Sequence, residues 1–139
     1  MYENLELVDY GLITTNPGVP IIARLMELRD DVKGLIETYH PDEIVCEHPF
    51  FPKNVISGSK VNRAIGAIQI ACGECGYETM SMLSPTTVKA AVAWGDADKK
   101  DILFQIKLLF GIEGKIIDDT ADAFAVAVAF IQGARTNLE

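Results

Sequence analysis

Residues Ala123 to Ile131 read Ala-Phe-Ala-Val-Ala-Val-Ala-Phe-Ile, nine apolar residues without interruption. No other part of the chain restricts the fold so strongly. A helix apolar on every side must be buried nearly all round. Nine residues cannot cross a bilayer, which takes about 20. The segment therefore predicts a core helix, about Asp119 to Ala134, inside a layered globular protein. The rest of the 139-residue chain can supply that core, since 49% of it is apolar and 23% charged. This length suits a single domain over 1–139. There is no apolar run long enough for a membrane span, so no membrane partner is expected. Three cysteines, an odd number, argue against a disulfide framework and fit a reducing cytoplasm.

Other elements follow from local pattern. Leu5 to Thr15 mixes partial alternation with β-branched and aromatic residues, which predicts a strand. Asn16-Pro17-Gly18 is a turn. Ile21, Ile22, Leu25, Leu28, Val32, Leu35, Ile36 and Tyr39 repeat with helical period up to Pro41. Glu43 to Glu47 has the apolar centre of a short buried strand. A loop is expected from Phe50 to Ser59, then a helix from Lys60 to about Cys72. Its small residues Ala64, Gly66, Ala67 and Ala71 allow another helix to come close. Tyr77 to Leu83 reads as a third strand. Ser84 and Pro85 open a short helix, Thr86 to Ala93, as N-cap and first residue. Ala97 to Phe110 is helical again. Strands alternate with helices, so the class is α/β. Three strands make a thin sheet for this much helix.

Charge argues against an indiscriminate nucleic-acid binder. Twelve Lys and Arg against twenty Asp and Glu leave −8. A local basic patch can still meet phosphate, and carboxylates gathered round a cation would offset part of the balance. Glu47 ends a buried strand, where open α/β sheets place ligands. Asp119 and Asp122 are three residues apart, on one side of the last helix. If that helix starts beside the strand end, three carboxylates converge. They would repel without a hard cation such as Mg²⁺, and paired ions of that kind serve phosphodiester hydrolysis. The plainer reading is that Asp119 caps the helix, Asp122 answers its dipole and Glu47 is exposed. Cys72-Gly73-Glu74-Cys75 lacks the second ligand pair of a structural zinc site. Trp94 reads as a packing residue.

Three segments together resemble the RuvC-type Holliday junction resolvases. They are Ile44-Val45-Cys46-Glu47-His48-Pro49-Phe50 with Lys53-Asn54, then Val88-Lys89-Ala90-Ala91-Val92 with Gly95-Asp96-Ala97-Asp98-Lys99, then Asp118-Asp119-Thr120-Ala121-Asp122-Ala123-Phe124-Ala125. Their order and spacing are the family's. The resemblance implies a ribonuclease H-like mixed sheet flanked by helices, a homodimer, and Mg²⁺-dependent (alternatively Mn²⁺-dependent) nicking of four-way DNA junctions. It implies Glu47, Asp119 and Asp122 as metal-binding acids, and Lys89 and Lys99 as catalytic lysines beside the scissile phosphate. Phe50 would stack on bases at the crossover, with Lys53, Lys60, Arg63, Lys89 and Lys99 as further DNA contacts. The helix from Lys60 to Ala71 is the expected dimer face, and branch-migration motors are the expected protein partners.

One family feature is missing. No Asp-Pro-Gly occurs in this chain, so the strand that carries the family's first acid has no counterpart, and Leu5 to Thr15 matches the family's third strand. Asp9 is no substitute. The fold is therefore expected to be N-terminally incomplete, through truncation or degeneracy. Alternatives are a catalytically impaired junction-binding relative, a truncated fragment, or a ribonuclease H-like nuclease acting on RNA.

Overall fold

The computed structural model describes residues 5–48, 55–92, 99–116 and 118–136. Its elements run α1 (Ile21–Tyr39), β1 (Val45–Glu47), α2 (Val55–Glu74), β2 (Ser81–Leu83), α3 (Pro85–Val92), α4 (Lys99–Phe110) and α5 (Asp118–Ile131). β1 and β2 form a two-stranded sheet. Ser81 N–H donates to the Ile44 carbonyl and His48 N–H to the Leu83 carbonyl. Residue numbers rise together on both strands, so the pair is parallel, with α2 in the crossover.

Contacts divide the chain into two compact units. One comprises Met1–Leu12, Val45–His48 and Met82–Glu139, the other Ile13–Ile44 and Pro49–Ser81. In the first, α5 packs on β1, α3 and α4. Leu83, Ile106 and Val128 are fully buried at its centre, with Val88, Val92, Ile102, Ile116 and Phe124 around them. In the second, α1 packs along α2, and Ile36, Ile65, Ala71 and Cys72 are buried. Arg29 and Lys33 of α1 both reach Glu74 at the end of α2, at 3.7 and 3.5 Å. Ile21, Arg24, Leu25 and Leu28 of α1 share a pocket with Lys60, Arg63 and Ala64 of α2, and Arg29 and Lys33 farther along α1 meet Glu74 farther along α2, so α1 and α2 run parallel.

The α3 cap is as the sequence predicts. Ser84 Oγ accepts the Thr87 N–H at 3.2 Å, and Pro85 is the first helical residue. α5 ends in a Schellman turn. Gly133 has φ +94°, Ala134 N–H bonds the Ala129 carbonyl and Gly133 N–H the Phe130 carbonyl.

Four expectations need correction. Residues 5–15 form no strand. Ladder bonds define a strand, and this segment lies along a helix instead. Tyr10 stacks on Phe124 with centroids 5.2 Å apart, and Thr120 Oγ1 donates to the Gly11 carbonyl at 3.5 Å. The sheet among the described residues thus has two strands, not three. The strand expected at Tyr77 to Leu83 is confined to Ser81–Leu83, because Tyr77 belongs to the turn after α2, where its N–H bonds the Cys72 carbonyl and its hydroxyl the Pro41 carbonyl. α2 starts at Val55, inside the stretch expected to be loop. Finally, α5 is not buried all round. Asp119, Ala123, Ala127 and Ile131 follow one another at four-residue spacing, and all are exposed. Ala123, Ala127 and Ile131, with Leu7, Tyr10 and Gly11, border a groove of about 260 Å³.

Candidate functional site

Parallel β1 ends at Glu47, which is half-buried. Its carbonyl accepts the Cys46 thiol at 3.4 Å. α5 crosses this strand and brings its acidic first turn into the same compact unit. Asp118 and Asp119 lie in that turn and Asp122 one turn on. Asp residues at a helix start oppose the positive end of its dipole, so the turn is locally favourable.

All three acids lie in the first two turns of α5. Asp118 and Asp122, four residues apart, line a cleft of about 80 Å³ with Lys100, Ile102, Leu103 and Ala121. Asp119 instead heads the exposed line that continues through Ala123 and Ala127. The pair that faces α4 is therefore Asp118 and Asp122. Sequence reasoning passed over Asp118. The signal was available as four-residue spacing, but only the position of α4 decides which pair shares a face. Lys100 was likewise passed over in favour of Lys99. It lines the same cleft as Asp118 and Asp122.

Among the described residues, no group of three or more His, Cys, Asp or Glu is placed to hold a metal ion. The donor types of Glu47, Asp119 and Asp122 suit Mg²⁺, an oxygen-seeking ion. No hydrolytic step is assigned to these residues.

The remaining predicted contacts are dispersed. Lys89 lies in the last turn of α3, partly exposed and without an ion pair among the described residues. Beneath it, Ser84, Thr87 and Thr136 form a ring of hydroxyl bonds. Thr136 Oγ1 donates to Thr87 Oγ1 at 2.8 Å and accepts the Ser84 N–H at 3.1 Å, while Ser84 Oγ and Thr87 Oγ1 are 2.9 Å apart. This ring ties the chain after α5 to the start of α3. Lys60 and Arg63 are exposed on α2. Phe50, Lys53 and Trp94 lie outside the described residues, as does the side chain of Lys99.

Comparison with known proteins places this arrangement. The pattern of the family described as "Crossover junction endodeoxyribonuclease RuvC" matches residues 2–130. The chain belongs to the RuvC family. A RuvC from Brevibacillus brevis is 38% identical over 132 residues, covering 94% of this chain and 79% of that protein. One from Synechocystis sp. is 31% identical over 133 residues, covering 96% of this chain and 80% of that protein. Among solved structures, "T. thermophilus RuvC in complex with Holliday junction substrate" superposes with a TM-score of 0.84 at 25% identity, over 89% of this chain and 76% of that one. Thermus thermophilus RuvC alone gives 0.82 at 26% identity, over 91% and 77%.

The fold is thus an incomplete ribonuclease H-like α/β arrangement, with two strands flanked by helices among the described residues. The chain resembles a crossover-junction endonuclease without the family's Asp-Pro-Gly motif and, among the described residues, without an identifiable metal-binding group. Membership of the family implies Mg²⁺ dependence in general. No helix among the described residues is long and apolar enough to cross a membrane.

Proposed function

We propose that this chain binds four-way DNA junctions as a catalytically impaired member of the RuvC family. The observation that carries this reading is a pairing of two facts: the chain superposes closely on a RuvC bound to a Holliday junction, while no group of three or more His, Cys, Asp or Glu among its described residues is placed to hold a metal ion. Binding needs cations and shape. Hydrolysis by paired metals needs a closed set of oxygens.

In this reading Lys60, Arg63 and Lys89 meet backbone phosphates, each as an exposed or partly exposed cation. Lys and Arg at such positions fix a protein on nucleic acid without reading sequence. Phe50, Lys53 and Lys99 join them from the crossover side, as the family resemblance implies. Glu47, Asp119 and Asp122 are the remnant of the metal-binding acids, with Mg²⁺ (or Mn²⁺) their ion if a further carboxylate completes the set. The protein acts as a homodimer, because a symmetric junction presents two equivalent strands and closed twofold symmetry matches them. α2 is the shared face, and its Ile70 is 57% exposed. Branch-migration motors act on the same junction, and the cytoplasm is the compartment.

The test is competition by fluorescence anisotropy among a labelled four-way junction, a duplex of equal length and an RNA of equal length. Preference for the junction, weakening steeply with salt, supports the reading. Preference for the RNA supports a ribonuclease H-like protein of different substrate. Equal affinity for all three contradicts junction recognition.

A further inference from the structure

The α1–α2 pair distributes its charge unevenly. At one end Glu74 is shared by Arg29 and Lys33. Elsewhere along the pair a pocket of about 270 Å³ opens between the first turns of α1 and the second and third turns of α2, and it is lined by Arg24, Lys60 and Arg63 with no acid. Between Val55 and Glu74, α2 carries no charged residues besides Lys60 and Arg63. Neither makes a hydrogen bond or ion pair among the described residues. Thr15 Oγ1 accepts from Arg24 Nε at 3.0 Å and aims the guanidinium. The two terminal nitrogens of Arg24 then have no protein acceptor among the described residues. Glu27, one turn along α1, forms no ion pair with Arg24.

Three cations gathered without a counterion repel one another. In a chain of net charge −8, acids to neutralise them were plentiful, as the Glu74 end shows. An anion relieves this repulsion. Arg offers a planar fork matched to phosphate oxygens and Lys a compact point charge. Residues three apart on a helix have Cβ atoms roughly 5–6 Å apart, so Lys60 and Arg63 can meet one phosphate or two neighbours. The floor of the pocket is apolar, formed by Ile21, Leu25, Leu28 and Ala64. A free inorganic anion leaves that floor bare, whereas a nucleotide unit covers it with sugar or base.

We infer that the α1–α2 pocket is a binding site for the phosphodiester backbone of nucleic acid, with Arg24 as its central ligand and Thr15 as the residue that positions it. This inference deepens the proposed junction binding and names a surface for it that includes two residues, Arg24 and Thr15, with no role in the family resemblance.

Two measurements separate the pocket from the larger reading. In the first, amide shifts of the whole chain are followed while octathymidylate (dT)8 is added. The expected result is perturbation centred on Thr15, Arg24, Lys60 and Arg63. Absence of shifts at these four overturns the inference, whatever happens elsewhere. In the second, junction affinity is measured against salt for the wild type, Arg24→Gln, Arg24→Lys and Thr15→Val. Each phosphate contact contributes about 0.9 to the slope of log K against log salt. Arg24→Gln is expected to lower the slope by about 0.9, Arg24→Lys to restore most of it, and Thr15→Val to weaken binding with the slope kept. If the wild type binds the junction and Arg24→Gln has the wild-type slope, the pocket inference falls and the junction reading stands. If (dT)8 maps to the pocket and the junction is not bound, the junction reading falls and the pocket stands.

Discussion

Replacing Thr136 by valine keeps the shape of the side chain and removes one hydroxyl from the ring beneath α3. That hydroxyl makes two bonds, donating to Thr87 Oγ1 and accepting the Ser84 N–H. Ser84 is 5% exposed, so its N–H is left without acceptor and with little access to water. An unsatisfied buried donor costs about 1–3 kcal/mol, and an ordinary hydrogen bond contributes about 1 kcal/mol. Thr87 keeps its bond to Ser84 Oγ, so its own loss is small. Thr136→Val is therefore expected to destabilise by about 2 kcal/mol, which for a chain of this size is roughly 8 °C in Tm. The assay is urea unfolding followed by circular dichroism, with Thr136→Ser as the control that keeps the hydroxyl. The midpoint is expected to fall for valine at unchanged slope, and to stay near wild type for serine. A valine variant within about 0.5 kcal/mol of wild type would refute the idea that this ring holds α3 to the end of the chain, since surface changes alone fall in that range.

Ile106 is fully buried in the α4–α5 core, and Ile106→Ala is expected to cost about 2–5 kcal/mol in the same unfolding assay. Gly133 holds φ +94° in the turn after α5, so Gly133→Ala should destabilise by roughly 1 kcal/mol or more, read as a lower thermal midpoint. Glu74→Gln removes both partly exposed ion pairs between α1 and α2, and the expected loss is under about 1 kcal/mol, shrinking in high salt. Burial, then the neighbouring Cys75, pushes the Cys72 thiol above its ordinary value. Its protonated form is favoured by folding, so this contribution is full below the ordinary thiol range and is lost as pH rises through the raised value. Alkylation of native protein should accordingly label Cys75 before Cys72, as mass spectrometry of the peptides would show.

What the sequence conveyed and what it withheld divide along the line between local and non-local forces. The Ser84–Pro85 start of α3 depends on a hydroxyl and a fixed φ within four residues, and it was legible. So was α1, whose apolar period ends at Tyr39 as expected. Leu5 to Thr15 has the composition of a strand, but a strand exists only through its partners, and here the segment lies on α5. The start of α2 is hidden in the sequence because Ser57, Gly58 and Ser59 are poor helix formers, so the loop pattern runs on to Lys60. The pairing of acids on α5 was legible only to within one face. Asp118 and Asp119 are neighbours in sequence, yet one lines the cleft with Lys100 and the other joins the exposed line of alanines. The pocket that gathers Arg24 with Lys60 and Arg63 joins residues almost forty positions apart, and nothing local announces it. Family resemblance, by contrast, rested on three short segments in order, and the comparison across residues 2–130 bears it out.

The central claim is that this chain recognises junctions without assembling the family's metal site. It is tested most directly by incubating a synthetic four-way junction, labelled on each strand in turn, with the chain in Mg²⁺ and in EDTA, beside a Glu47→Ala variant. The account predicts a shifted complex in every case and no paired nicks in Mg²⁺. Symmetric nicks that need Mg²⁺ and vanish in Glu47→Ala would contradict it, and would show that another group completes the carboxylate set.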